Sequence, residues 1–203
     1  IVAAYGTPPG KITVVHPGYN RALAPVRDPE VLAAVRQRYA VDGPYVLFIG
    51  RIHPRKNLAR LVDAFSRVAA DHPELLLILA GPTGWMAAPI EARVRDLGLE
   101  NRVRFPGYIA AEDKAGLLSG AEVVAYPSLY EGFGFPVLEA QACGTPVLTS
   151  TTSSLPEVAG DGALLVDPRD VDAIAEGLGR LLDSSALRWQ LVARGYENLS
   201  RFS

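Results

Sequence analysis

Runs of apolar side chains with no polar residue among them constrain this chain more than any other feature. Tyr45-Val46-Leu47-Phe48-Ile49, Leu75-Leu76-Leu77-Ile78-Leu79-Ala80 and Val123-Val124-Ala125-Tyr126 are of this kind. A strand with one wet face alternates apolar and polar residues, so a run without alternation is buried on both faces. Between the runs the spacing changes to helical, as at Leu58, Leu61, Phe65 and Val68 within a predicted helix over 57–70. Further strands are expected at Val103-Arg104-Phe105, Pro146-Val147-Leu148-Thr149 and Ala163-Leu164-Leu165-Val166. Lys11-Ile12-Thr13-Val14-Val15, β-branched and closed by His16-Pro17-Gly18, is also strand-like.

Further helices are predicted over about 29–39, capped by Asp28 with Val31, Leu32 and Val35 on one face, and over 86–97, stopped by Gly98. Others follow over 112–118, after Asp170 with Val171, Ile174, Leu178 and Leu181, and from Ser185 onward. Ser154-Leu155-Pro156-Glu157 reads as a capping box, in which serine and glutamate satisfy helix-start N–H groups reciprocally. Strand and helix alternate throughout, which implies an α/β fold: a doubly wound parallel sheet of about six strands, Rossmann-like, forming one domain over 1–203. In such sheets ligands bind beyond the carboxyl ends of the strands, where strand order reverses. The turns after Ile49, Ala80, Phe105, Tyr126 and Thr149 all lie on that edge.

Charge narrows the ligand classes. Twenty Lys and Arg nearly balance 22 Asp and Glu, for a net charge of −2. No bulk basic field exists for nucleic acid or an anionic membrane, so a polyanion site must be local. No apolar run approaches the ~18 residues of a membrane span. The single cysteine, Cys143, excludes an internal disulfide, fits a reducing compartment and reads as a small buried residue. His16, His53 and His72 are scattered, and no His/Asp/Cys cluster suggests a metal.

Two stretches carry chemistry. Tyr130-Glu131-Gly132-Phe133-Gly134-Phe135-Pro136-Val137-Leu138-Glu139 joins a strand to a helix through a glycine turn. Helix-start N–H groups there favour an anion, and Pro136 suits the first helical turn. Arg51 and Lys56 follow Gly50 in the turn after the first buried strand, where guanidinium, ammonium and helix-start N–H groups suit a diphosphate. The same turn, with Arg55, also reads as a solvated basic loop. Glu131 and Glu139 suit sugar hydroxyls on either side of a diphosphate. Residue type alone favours the blander reading, an exposed turn residue and a helix-surface charge. No GxxxxGK[ST] phosphate loop occurs, and Gly132-Phe133-Gly134 lacks the third glycine of the dinucleotide fingerprint, which weighs against ATP hydrolysis and NAD.

The glycine turn through Glu139-Ala140, with Ala142-Cys143-Gly144-Thr145-Pro146-Val147, closely resembles family 4 (group 1) of the retaining glycosyltransferases of GT-B fold. Gly50-Arg51, Lys56-Asn57, Ser154-Leu155-Pro156-Glu157 and Val166-Asp167-Pro168 extend the resemblance from about Lys11 onward. It implies that the chain is the C-terminal, donor-binding half of such an enzyme. Residues 1–10 would then lead in from an N-terminal acceptor domain, and 185–203 would head back to it. Arg51 and Lys56 would hold the diphosphate, Glu131 the transferred sugar, and Glu139 the ribose. Gly132, Phe133, Gly134 and Leu138 would complete the cradle. Gly107-Tyr108-Ile109, through Tyr108, would meet the base. The resemblance further implies sugar transfer with retention from a GDP- or UDP-sugar, mannose-type by the turn and Ser153-Ser154-Leu155-Pro156-Glu157, with no metal or other cofactor. It implies polysaccharide or glycolipid synthesis in the cytoplasm, with membrane association residing in the absent domain. The alternatives are a nucleotide-sugar 2-epimerase, a non-catalytic nucleotide-sugar-binding module and a Rossmann oxidoreductase.

Overall fold

A computed structural model describes residues 1–82 and 87–202. The sheet has six strands: β1 (Tyr45–Ile49), β2 (Leu76–Ala80), β3 (Val103–Gly107), β4 (Val123–Tyr126), β5 (Val147–Ser150) and β6 (Leu164–Val166). All five pairings are parallel and the spatial order is β3-β2-β1-β4-β5-β6. Every residue of β1, β2, β4 and β5 is buried, as the runs without alternation require. The order reverses between β1 and β4, so the two strands followed by the basic turn and the glycine turn are neighbours.

The helices are α1 (Val2–Tyr5), α2 (Pro29–Arg38), α3 (Leu58–Val68), α4 (Ala88–Asp96), α5 (Lys114–Ser119), α6 (Phe135–Ala142), α7 (Leu155–Ala159), α8 (Val171–Asp183) and α9 (Ser185–Leu199). Their contacts form two layers. In one, α3 packs on α4 and α8; in the other, α5 packs on α2 and α6, and α6 on α7 and α9. Leu58, Leu61, Val62, Phe65 and Val68 form the buried stripe of α3, and α8, on which α3 packs, buries Ile174, Leu178 and Leu181. Among the described residues no helix is long and apolar enough to cross a membrane.

The ends of β1 and β2 converge. Gly50 N–H donates to the Ala80 carbonyl (2.9 Å), and a Cβ on Gly81 would lie 1.9 Å from the Gly50 carbonyl oxygen. Only glycine fits at Gly81, whose φ is +145°.

Several expectations need correction. Lys11–Val15 is not a strand: Pro9–Lys11 is a 3-10 turn, and Val14 and Val15 are 74% and 83% exposed. β-Branched residues make a strand only where a neighbour supplies pairing. Val31 is exposed, because α2 meets the body over a narrow strip on α5. Ser154 does not cap α7. Its φ/ψ of −78°/−10° is already helical, and its hydroxyl is spent on the glycine turn. Glu157 pairs with His16 Nε2 at 2.9 Å. Asp28 and Asp170 do cap α2 and α8. β3 continues through Pro106 to Gly107, and α4 begins at Ala88; the expected turn residues Thr83 and Gly84 and the helix start at Met86 lie outside the described residues.

Candidate functional site

Arg51 and Lys56 leave the end of β1, and Glu131 leaves the end of β4. Asn57 turns the first of these loops: at φ +63° it sits in the left-handed region that asparagine tolerates, and it is buried. Its amide donates to Pro127 O (3.0 Å) and Pro168 O (2.6 Å), which ties the loop after β1 to those after β4 and β6. The result is a short 3-10 turn, Pro54–Lys56, that swings Lys56 inward.

Lys56 is only 5% exposed. Its Nζ lies 2.5 Å from Glu131 Oε1, donates to the Tyr126 hydroxyl, and sits 4.6 Å from the centroid of the Tyr126 ring. Tyr126 stacks in turn on Phe48, with centroids 5.6 Å apart. Arg55 Nη1 donates to Glu131 Oε2 at 2.7 Å. Each carboxylate oxygen of Glu131 thus has its own cation. Burial by itself would raise the Glu131 carboxyl, yet Lys56 and Arg55 hold it below its ordinary value. Burial draws the Lys56 ammonium down, against the pull of Glu131. Burial and Glu131 together push the Tyr126 hydroxyl up. Lys56, Arg55 and Glu131 form a triad, two basic side chains on one carboxylate.

The glycine turn is held from behind. Glu131 N–H donates to Ser153 Oγ (2.8 Å), Ser153 Oγ donates to Glu131 O (2.6 Å), and Ser154 Oγ donates to Phe133 O (2.6 Å). These bonds engage the carbonyls and leave N–H groups open. Gly132, Phe133 and Gly134 N–H meet no protein acceptor among the described residues. α6 follows at once with no side-chain cap. Gly134 has φ +119°, and a Cβ there would come within 2.8 Å of Leu155 Cδ2.

Glu139, one turn into α6, is 13% exposed at its side chain and lies 2.5 Å from Lys114 Nζ at the start of α5. Gly50, with φ +149°, lets the chain leave β1 toward this edge. Arg51 is exposed and has no partner among the described residues. Tyr108 is 73% exposed on the turn after β3, and Leu138 is fully buried, so its side chain belongs to the core. The structure therefore brings Lys56 and Glu131 into contact and leaves Arg51 and Tyr108 facing solvent. Cys143 is buried, and burial pushes its thiol up to about 11, as a packing role requires.

Sequence reasoning missed four contributors. Arg55 read as a spare cation, Tyr126 as a strand residue, Ser154 as a helix start, and Lys114 not at all. Lys114 reaches Glu139 across 25 residues of chain, so no local pattern points to it.

The chain and its fold have known counterparts. The family model of the glycosyl transferases group 1 matches residues 33–198. The chain belongs to that family. O-antigen chain mannosyltransferase B of Escherichia coli is 38% identical over 179 residues, 87% of this chain and 47% of that protein. Sucrose-phosphate synthase from Thermosynechococcus elongatus superposes with a TM-score of 0.79 at 33% identity, covering 92% of this chain and 47% of that one. HepE of Anabaena, solved with UDP and glucose, superposes at 0.81 with 24% identity over 94% of this chain and 52% of that one, and shows the fold alone. This group 1 glycosyltransferase chain spans about half the length of the curated relatives it matches. It corresponds to the C-terminal domain of a GT-B enzyme.

Proposed function

We propose that this chain binds a nucleoside diphosphate sugar at the β1/β4 switch point and is the donor half of a retaining glycosyltransferase. The observation that carries the reading is an anion-seeking helix start whose two neighbouring carboxylates are each already matched by cations. Carboxylates so neutralised do not repel a diphosphate, and their remaining lone pairs accept hydroxyl protons.

In this reading Arg51 and the open N–H groups of Gly132, Phe133 and Gly134 meet the diphosphate. Lys56 has three N–H protons, of which Glu131 and Tyr126 take two, leaving the third for a phosphate oxygen. Glu131 accepts from the transferred sugar and Glu139 from the ribose, while the turn at Tyr108 meets the base. As the bond from the sugar's anomeric carbon to the diphosphate breaks, its electron pair goes to the phosphate oxygen. The acceptor's hydroxyl oxygen bonds to that carbon and gives its proton to the departing phosphate oxygen. Charge on the leaving phosphate grows through the transition state, so Arg51 and Lys56 act most strongly there. The acceptor and the N-terminal domain that positions it lie outside this chain in this reading.

The name of the E. coli relative favours a mannose-type donor, and a uridine diphosphate sugar is the alternative. Calorimetric titration of the 203-residue chain with GDP-mannose and UDP-glucose separates them. Micromolar binding of one or both, without turnover, is expected of a donor half. Absence of binding to any nucleoside diphosphate or its sugar would sink the proposal.

A further inference from the structure

Two polar clusters outside the switch-point triad are adjacent in sequence. Asp113, 8% exposed at its side chain, accepts from Arg38 Nη1 with both oxygens (2.8 and 2.7 Å) and from the Tyr39 hydroxyl (2.7 Å). That same hydroxyl accepts the Ala110 N–H (3.2 Å), and Asp113 N–H donates to Ala110 O (3.1 Å). The turn after β3 is therefore pinned at Ala110 to the end of α2. Asp113 stands at the N-cap position of α5 but makes no cap bond, because its carboxylate is committed to α2. The next residue, Lys114, pairs with Glu139 on α6.

Helix stability does not explain Lys114. A cation in the first turn of a helix opposes the dipole. Fixing a long lysine side chain also costs rotamer entropy. What the placement achieves is to orient Glu139. One oxygen receives the ammonium, and among the described residues the other has no partner. A carboxylate has about four acceptor positions, so those left free suit a vicinal diol.

We propose that Asp113-Lys114 is a single positioning element: Asp113 sets the base-side turn, and Lys114 sets Glu139 for the ribose diol of a nucleotide. The inference rests on the donor-binding reading and adds to it Asp113 and an orienting role for Lys114. Lys114 touches no substrate in it and acts through Glu139. Asp113 acts through Ala110.

The test compares GDP and UDP with their 2′,3′-dideoxy forms, titrated calorimetrically into the wild-type chain and into Lys114→Met, Lys114→Arg and Asp113→Asn. The wild type is expected to bind the ribose forms at least about tenfold more tightly than the dideoxy forms, the scale of a hydrogen bond to a charged group. Lys114→Met should lose about tenfold for the ribose forms and under twofold for the dideoxy forms, so the preference collapses. Lys114→Arg, which keeps the cation, should restore most of it. Asp113→Asn should weaken both forms alike. Equal loss for both forms in Lys114→Met, or an unchanged preference, overturns the Lys114 role while leaving the donor-binding reading intact. Unchanged binding in Asp113→Asn overturns the Asp113 role. A wild type that binds neither form defeats the underlying reading and the inference with it.

Discussion

Replacing Lys56 by methionine removes one cation from a carboxylate that the fold has taken out of water. Lys56 and Glu131 are 5% and 7% exposed, and their charged atoms are 2.5 Å apart. Removing one partner of a buried pair costs about 3–5 kcal/mol, because the surviving charge is left uncompensated. Arg55 still holds the other oxygen of Glu131, which places the expected loss near the low end, about 3 kcal/mol. A domain with 5–15 kcal/mol of stability, as is typical, remains folded after that loss. Glu131→Gln in the same background removes the stranded charge, so the double variant should recover about 2 kcal/mol relative to the sum of the single changes. The pH dependence supplies a second readout. The Glu131 carboxyl is held below its ordinary 4.5, so its stabilisation is present above that value and is lost as pH falls through the lower, folded value. Without Lys56 the folded value rises toward the ordinary one, so the share of the acid-induced stability loss that Glu131 contributes should shrink. Urea unfolding followed by circular dichroism, at pH 7 and in steps down to about pH 4, measures both effects. A loss under about 1 kcal/mol at pH 7 with an unchanged acid-induced loss would refute the reasoning.

Two further outcomes follow from local geometry. Gly134→Ala should cost about 1–3 kcal/mol, since φ +119° and the 2.8 Å approach to Leu155 both exclude a side chain. Gly132→Ala, where a Cβ would meet nothing within 4 Å, should cost under about 1 kcal/mol, and equal melting temperatures for the pair would contradict this. Cys143, buried with its thiol near 11, should react with a disulfide-exchange reagent only as fast as the chain opens. Labelling of the native chain at the rate of free cysteine would show the thiol to be accessible.

What the sequence determined by itself was whatever depends on neighbours along the chain. Uninterrupted apolar runs require strands buried on both faces, and this alone leads to a parallel sheet and to the edge where ligands bind. Asp28 and Asp170 cap the helices they precede, and the glycine turn ends where Pro136 can begin α6. The failures share one cause. Val14 and Val15 have strand propensity, but propensity becomes structure only when another strand pairs with it. Ser154 and Glu157 have the spacing of a capping box, yet each has a partner far away in sequence, Phe133 and His16, that outcompetes the helix start. The site divides in the same way. Glu131, Glu139, Arg51 and Lys56 were legible as residue types at strand ends. The pairing of Lys56 and Arg55 with Glu131, and of Lys114 with Glu139, depends on the strand order that places β1 beside β4 and on α5 lying against α6. A charge's partner is fixed by distance in space, so only the tertiary structure decided which cations neutralise these carboxylates.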